Sequence, residues 1–187
     1  MNKKALSVWI VLIAILAVNL PVMGQEITKS QPEYKDCFWV NGGIGGSYFG
    51  PTLNGSISYS HNENTFTIRY LKADEFTWGD PGGNKVSDYP PLSMKEIGIL
   101  CGRSTRMQNM VISLSGGLSY LTAVNRGSRI EERLYEKQEI KAIGIPLELH
   151  VRIELTDFLG IGGSCFGNLN SSYSFIGGSL NLYIGKF

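Results

Sequence analysis

The sequence predicts an all-β fold: a closed, antiparallel, up-and-down transmembrane β-barrel of about eight strands. Three observations predict it. Between 143 and 155 every odd position is aliphatic (Ile143, Ile145, Leu147, Leu149, Val151, Ile153, Leu155), while Gly144, Pro146, Glu148, His150, Arg152 and Glu154 fill the even ones. A period of two over that length is a strand with one apolar and one polar face. Similar segments recur along the chain, which opens on an export-like stretch and ends on an aromatic residue, Phe187.

The N-terminal stretch has the organisation of a cleaved secretory signal. Lys3 and Lys4 form a charged region, 5–18 is apolar, and Val22-Met23-Gly24 offers tolerated residues at a cleavage site. The apolar run is short for a spanning helix, and no Cys follows it to carry a lipid anchor. The domain reading is therefore a signal peptide at 1–24, a short polar lead at 25–36 and a barrel at 37–187. Removing 1–24 takes away two Lys and no acid, so the formal charge falls from +1 to −1. Neither sign dominates, and nucleic acid is not an expected partner. Cys37, Cys101 and Cys165 are odd in number, widely spaced and outside any metal-binding pattern.

The predicted strands follow in order at 38–49, 53–59, 65–72, 94–102, 110–124, 140–155, 158–168 and 173–187. In the second, Leu53, Ile57 and Tyr59 oppose Asn54, Ser56, Ser58 and Ser60. In the third, Phe66, Ile68 and Tyr70 oppose Thr65, Thr67 and Arg69. In the fifth, Met110, Ile112, Leu114, Leu118 and Tyr120 oppose Ser113, Ser115, Gly117 and Ser119. The first and seventh share a repeat: Gly43-Ile44-Gly45-Gly46-Ser47-Tyr48-Phe49-Gly50 differs from Gly160-Ile161-Gly162-Gly163-Ser164-Cys165-Phe166-Gly167 at one position. Glycines at those places let a small barrel bend and its backbones approach.

A soluble barrel shares this alternation with its apolar face inward. The polar face separates the two, because a soluble surface uses Lys and Glu where this chain has mostly Ser, Gly and Asn. Small residues suit the cramped interior of an eight-stranded barrel. Lys72, Lys95, Lys141 and Lys186 fall near strand ends, where a membrane penalises them least. The connections at 61–64, 103–109 and 156–157 are short, whereas 73–93 and 125–139 are long and fall on one side. That asymmetry is expected of a transmembrane barrel with its long loops outward.

From about 37 to 187 the chain resembles the small eight-stranded outer-membrane β-barrel proteins of Gram-negative bacteria. The resemblance rests on the Gly-rich strands and on the ending Leu180-Asn181-Leu182-Tyr183-Ile184-Gly185-Lys186-Phe187. It implies a bacterial outer-membrane location, contact with outer-membrane lipid and lipopolysaccharide, and insertion by the barrel-assembly machinery. In that family a terminal aromatic with alternating apolar residues before it is the assembly signal. Tyr183 and Phe187 fit that frame; Gly185, Asn181 and Ser179 depart from it.

If the apolar face meets lipid, Glu148, His150, Arg152 and Glu154 point into the lumen together with Arg69 and Glu96. Buried ions must pair, so this ladder is either a narrow gated path or, as expected of a filled small barrel, a plug. Some related barrels hydrolyse lipid A acyl chains with a His-x-Ser pair. Here His150 is followed by Val151-Arg152, and His61 lies in a predicted turn. No catalytic residue, cofactor-binding site or metal site is therefore expected; the Gly runs lack the phosphate-cradle patterns. The expectation is a non-enzymatic protein with a structural, adhesive or surface-binding role in its outer loops. A soluble lipocalin-like carrier of an apolar ligand and a lipid-modifying membrane enzyme are the alternatives. The 73–93 loop offers Phe76, Trp78 and Tyr89; the 125–139 loop offers Arg126, Arg129, Glu131, Glu132, Arg133, Glu136 and Lys137.

Overall fold

The computed structural model describes residues 36–75, 92–131 and 134–187. The segment expected to be a signal peptide, most of the polar lead, the aromatics of the 73–93 loop and the pair at 132–133 lie outside the described residues. All regular structure among the described residues is strand: β1 (Cys37–Ser47), β2 (Gly50–His61), β3 (Asn64–Asp74), β4 (Ser93–Met107), β5 (Met110–Glu131), β6 (Leu134–Glu154), β7 (Leu159–Leu169) and β8 (Phe175–Lys186). Each strand pairs with its neighbours in sequence, and β1 pairs with β8 to close an antiparallel, up-and-down transmembrane barrel.

Alternation sets which way each side chain faces. Ile57, Ile68, Ile97, Leu118, Ile143, Ile161 and Leu180 project outward. Ser58, Thr67, Arg69, Ser119, Glu148 and Asn181 are buried inside. Closure removes the edges that an open sheet would leave unpaired. The two copies of the glycine repeat lie on or next to β1 and β7, which both flank β8. Two of the glycines are dictated by close approach. A Cβ on Gly144 would run into the Asn168 side chain, and one on Gly177 into the Phe166 ring.

Tight turns at Tyr48-Phe49, Asn62-Glu63 and Gln108-Asn109 join successive strands. Asn62 and Gln108 adopt the left-handed conformation, at φ 57° and 55°, that short hairpin turns require. The 125–139 segment departs from the sequence expectation. It is not a loop from Asn125 onward: β5 and β6 run on as paired strands, with Asn125 opposite Gln138 and Arg126 opposite Lys137. Register irregularities follow between Arg126 and Arg129 and between Arg129 and Glu131. Beyond the apolar band neither face needs to be apolar, so charged residues mask a strand that backbone pairing still extends.

Candidate functional site

The lumen is filled at two levels by different chemistry. Toward the end that carries the β1–β2, β3–β4, β5–β6 and β7–β8 connections, Phe49, Leu71, Ala73, Met94, Leu121, Ala123, Phe166 and Phe175 form one buried apolar cluster. Phe49 comes from the β1–β2 turn and folds inward against Tyr173 (ring centroids 4.7 Å apart) and Phe175 (5.9 Å). Tyr173 lies in the β7–β8 connection, where burial and the neighbouring Tyr48 push its phenol above the usual tyrosine range.

Below that plug the charged ladder begins. Arg69 on β3 donates through Nη2 to Glu96 Oε1 on β4, and its Nη1 lies 3.5 Å from Glu148 Oε2 on β6. All three side chains are essentially inaccessible. Glu148 Oε1 lies 3.0 Å from His150 Nε2, and His150 Nδ1 lies 2.7 Å from the Tyr183 hydroxyl. The neutral tautomer with hydrogen on Nε2 satisfies both contacts: Nε2–H donates to Glu148 and Tyr183 donates to Nδ1.

Arg152, Glu154 and Arg106 continue the series toward the opposite mouth. Arg152 and Arg106 each donate through Nη2 to Glu154 Oε1 at 2.9 Å. The Arg152 guanidinium also sits 4.5 Å from the Trp39 ring centroid, 4.3 Å from that of Phe187 and 5.7 Å from that of Tyr183. Cation–π contact of this kind holds an Arg where desolvation would otherwise disfavour it. Within this set Arg69, Arg106 and Arg152 balance Glu96, Glu148 and Glu154, so a neutral His150 leaves no net charge in the ladder.

A hydroxyl and amide network fills the β7–β8–β2 side. Asn54 Nδ2 donates to Ser179 Oγ at 3.0 Å, Asn181 Nδ2 to Ser164 Oγ at 3.1 Å, and the Ser164 and Ser179 hydroxyls lie 2.8 Å apart. Small polar residues there leave volume for the long side chains arriving from β3, β4 and β6.

The structure thus brings Arg69, Glu96, Glu148, His150, Arg152 and Glu154 into one connected series, with Arg106 as a further member. Tyr183 faces the lumen and is 1% exposed, while Leu180, Leu182 and Ile184 present the outer face of β8. Ser113 is the register partner of His150, yet its hydroxyl lies 3.0 Å from Ser104 while both ring nitrogens of His150 engage other groups. His61 lies at the end of β2, where its Nδ1 meets Asp36 at 2.6 Å on the surface. No disulfide is formed, and Cys101 and Cys165 are exposed on the outer wall.

Sequence reasoning missed the apolar plug and the aromatic seat of Arg152. A signal was present for the plug: Tyr70-Leu71 and Tyr120-Leu121 are adjacent apolar pairs, so both faces of those strands are apolar there. The repeat was a second one, since its two copies supply Phe49 and Phe166 to the same cluster.

No protein-family model matches the chain, and no curated protein matches it significantly. Solved structures do. The N-terminal β-barrel domain of Pseudomonas aeruginosa OprF aligns over 81% of this chain and 99% of its own, with TM-score 0.54 and 13% identity. Neisserial surface protein A (NspA) aligns over 81% and 96%, with TM-score 0.52 and 14% identity. The attachment invasion locus protein Ail of Yersinia pestis, in complex with the heparin analogue sucrose octasulfate, aligns over 83% and 100%, with TM-score 0.54 and 11% identity. At such identities the likeness is one of fold. This chain has the fold of the small eight-stranded outer-membrane β-barrels of Gram-negative bacteria.

Proposed function

We propose that the protein is a non-enzymatic resident of the bacterial outer membrane whose role is structural, adhesive or surface-binding. In this reading residues 1–24 are removed on export and the barrel-assembly machinery inserts the remainder, with Tyr183 and Phe187 in its recognition segment. The β3–β4 connection and the extended β5–β6 hairpin face outward. The observation that carries the reading is the filled lumen beneath an outward apolar band. An interior packed with Phe, Leu and paired ions offers little room for a substrate or an ion path. An exterior carrying Ile143, Leu118 and Leu180 at 74%, 66% and 76% exposure calls for lipid rather than water. The same distribution disfavours the carrier alternative, which would put these residues inside.

Fold neighbours support a surface role by analogy, and the Ail complex makes a polyanion a sensible first ligand to try. The ladder acts as a plug that ties β3, β4 and β6 together. Cell fractionation tests the location: carbonate-resistant recovery with outer membranes and heat-modifiable mobility are expected. Protease added to intact cells should cut between 75 and 92 or between 125 and 138. Recovery from the soluble periplasm, or cleavage confined to Thr156-Asp157, would overturn the location or the orientation respectively.

A further inference from the structure

Above the apolar plug the barrel mouth carries an aromatic surface that the plug does not use. The two copies of the glycine repeat differ at one position, Tyr48 against Cys165. Both copies send a phenylalanine, Phe49 or Phe166, into the plug. Cys165 lies within β7 on the outer wall, whereas Tyr48 stands in the β1–β2 turn. Tyr48 is 76% exposed, against 42%, 44% and 47% for Tyr59, Tyr70 and Tyr120 on the wall. A ring left that open adds little to packing, and exposed tyrosines are the residues that anchor partners.

Its neighbour is Tyr173 from the β7–β8 connection, with ring centroids 6.3 Å apart at 47°. Tyr173 rests on Phe49 and so on the plug, at the lumen mouth rather than on the lipid-facing wall. Both connections are tied in place. Asn170 Oδ1 accepts from the backbone N–H of Ser172 at 3.0 Å and of Tyr173 at 2.5 Å, and its Nδ2 donates to the Tyr173 carbonyl at 2.9 Å. The backbone N–H of Phe49 donates to Ser47 Oγ at 3.2 Å. Gly50, at φ 116°, lies so close to β3 that a Cβ would come within 2.7 Å of the Asp74 carbonyl. Rings on fixed loops bind with little ordering cost.

The chemistry of this surface selects its ligand. Residues 47–52 read Ser-Tyr-Phe-Gly-Pro-Thr and 169–174 read Leu-Asn-Ser-Ser-Tyr-Ser, with hydroxyls and an amide but no charge. Asp74 and Glu75, beside Gly50, are acidic. An anionic ligand is therefore disfavoured, and a neutral polyhydroxyl one is matched. A pyranose presents axial C–H groups to the negative face of an aromatic ring, and its equatorial hydroxyls suit the exposed Ser171 and Ser172.

We propose that Tyr48 and Tyr173 form a docking platform for a neutral glycan of β-linked hexopyranose units, with one sugar face stacked on Tyr48. The place of the platform over the lumen selects a glycan arriving from solution over the membrane's own glycolipid, which flanks the wall. The inference rests on the membrane reading above, which turns this mouth outward.

The protein is folded in a detergent without sugar headgroups, its heat-modifiable mobility is checked, and cellotriose is titrated by saturation-transfer NMR. Mannitol, a polyol with no ring face, and sucrose octasulfate serve as comparison probes. Cellotriose should bind with a Kd on the order of 1 mM, and mannitol should not bind. Tyr48→Ala should weaken cellotriose about two- to tenfold, Tyr48→Trp should retain it, and Tyr120→Ala on the wall should change nothing. Asn170→Ala, which releases Tyr173, should weaken it without changing mobility. Absence of cellotriose binding by the unsubstituted protein overturns the proposal, as does binding indifferent to Tyr48→Ala. Sucrose octasulfate that binds more tightly than cellotriose and is lost in Tyr48→Ala would make the platform an anion site and overturns it as well. Cleavage of intact cells confined to Thr156-Asp157 would instead refute the outward placement, a failure that the detergent titration does not share.

Discussion

The two halves of the lumen solve one problem with opposite chemistry. Toward the β1–β2 turn the tube is closed by Phe49, Leu71, Met94, Leu121, Phe166 and Phe175; toward the chain ends it is closed by Arg69, Glu96, Glu148, His150, Arg152 and Glu154. The apolar half is held by packing alone, so its members tolerate volume-conserving change. The charged half is held by mutual neutralisation, so each member depends on the others. Buried ion pairs contribute little net stability against an apolar replacement, but breaking one strands a charge. The contrast teaches that filling, rather than polarity, is what a closed eight-stranded barrel requires of its interior.

The largest effect should come from breaking the ladder. Arg69→Ala leaves Glu96 and Glu148 without their shared cation and should cost about 3–5 kcal/mol, read as a shift in urea unfolding of the folded barrel. Combining Arg69→Met with Glu96→Leu and Glu148→Leu should restore most of that loss. A triple variant as unstable as the single one would show that the ladder contributes net stability and would break the comparison.

The plug should respond next. Leu121→Ala should cost about 2–5 kcal/mol through a cavity, while Leu121→Met should cost less than about 1.5 kcal/mol. Unlike the ladder, it should be rescued only by a second substitution that refills the lost volume and not by one that removes a charge.

A smaller effect separates inner from outer glycines. Gly144→Ala forces Asn168 aside and should cost about 1–3 kcal/mol, whereas Gly42→Ala projects into open space and should be neutral or slightly stabilising. Equal costs at the two sites would mean that the assignment of inner and outer faces is wrong.

The smallest is His150→Gln. The amide can still donate to Glu148 and accept from Tyr183, so unfolding should shift by less than about 1 kcal/mol. The lipid A acylation pattern of expressing cells should not change. A mass shift that depends on the protein and vanishes in this variant would revive a catalytic role.

Much of this arrangement was legible in the residues. The alternation at 143–155 assigned Glu148 and Arg152 to one face and Ile145 and Ile153 to the other, and the shared face of Arg69 and Glu96 placed them with the former. The extended β5–β6 hairpin was not legible, because Arg126 to Lys137 carry the composition of a solvated loop and backbone pairing leaves no compositional trace. Nor was the role of Tyr183, whose inward turn toward His150 follows from the parity of β8 rather than from the terminal pattern in which Phe187 stands.

A period of two is a local property, so the sequence by itself determined strands and faces. It could not determine partners. Sliding one strand by two residues preserves every face yet moves every cross-strand neighbour. Only closure, with its stagger of eight strands, decided that Lys72 stands opposite Lys95, that Arg69 reaches both Glu96 and Glu148, and that Arg152 finds Trp39 and Phe187 from opposite ends of the chain.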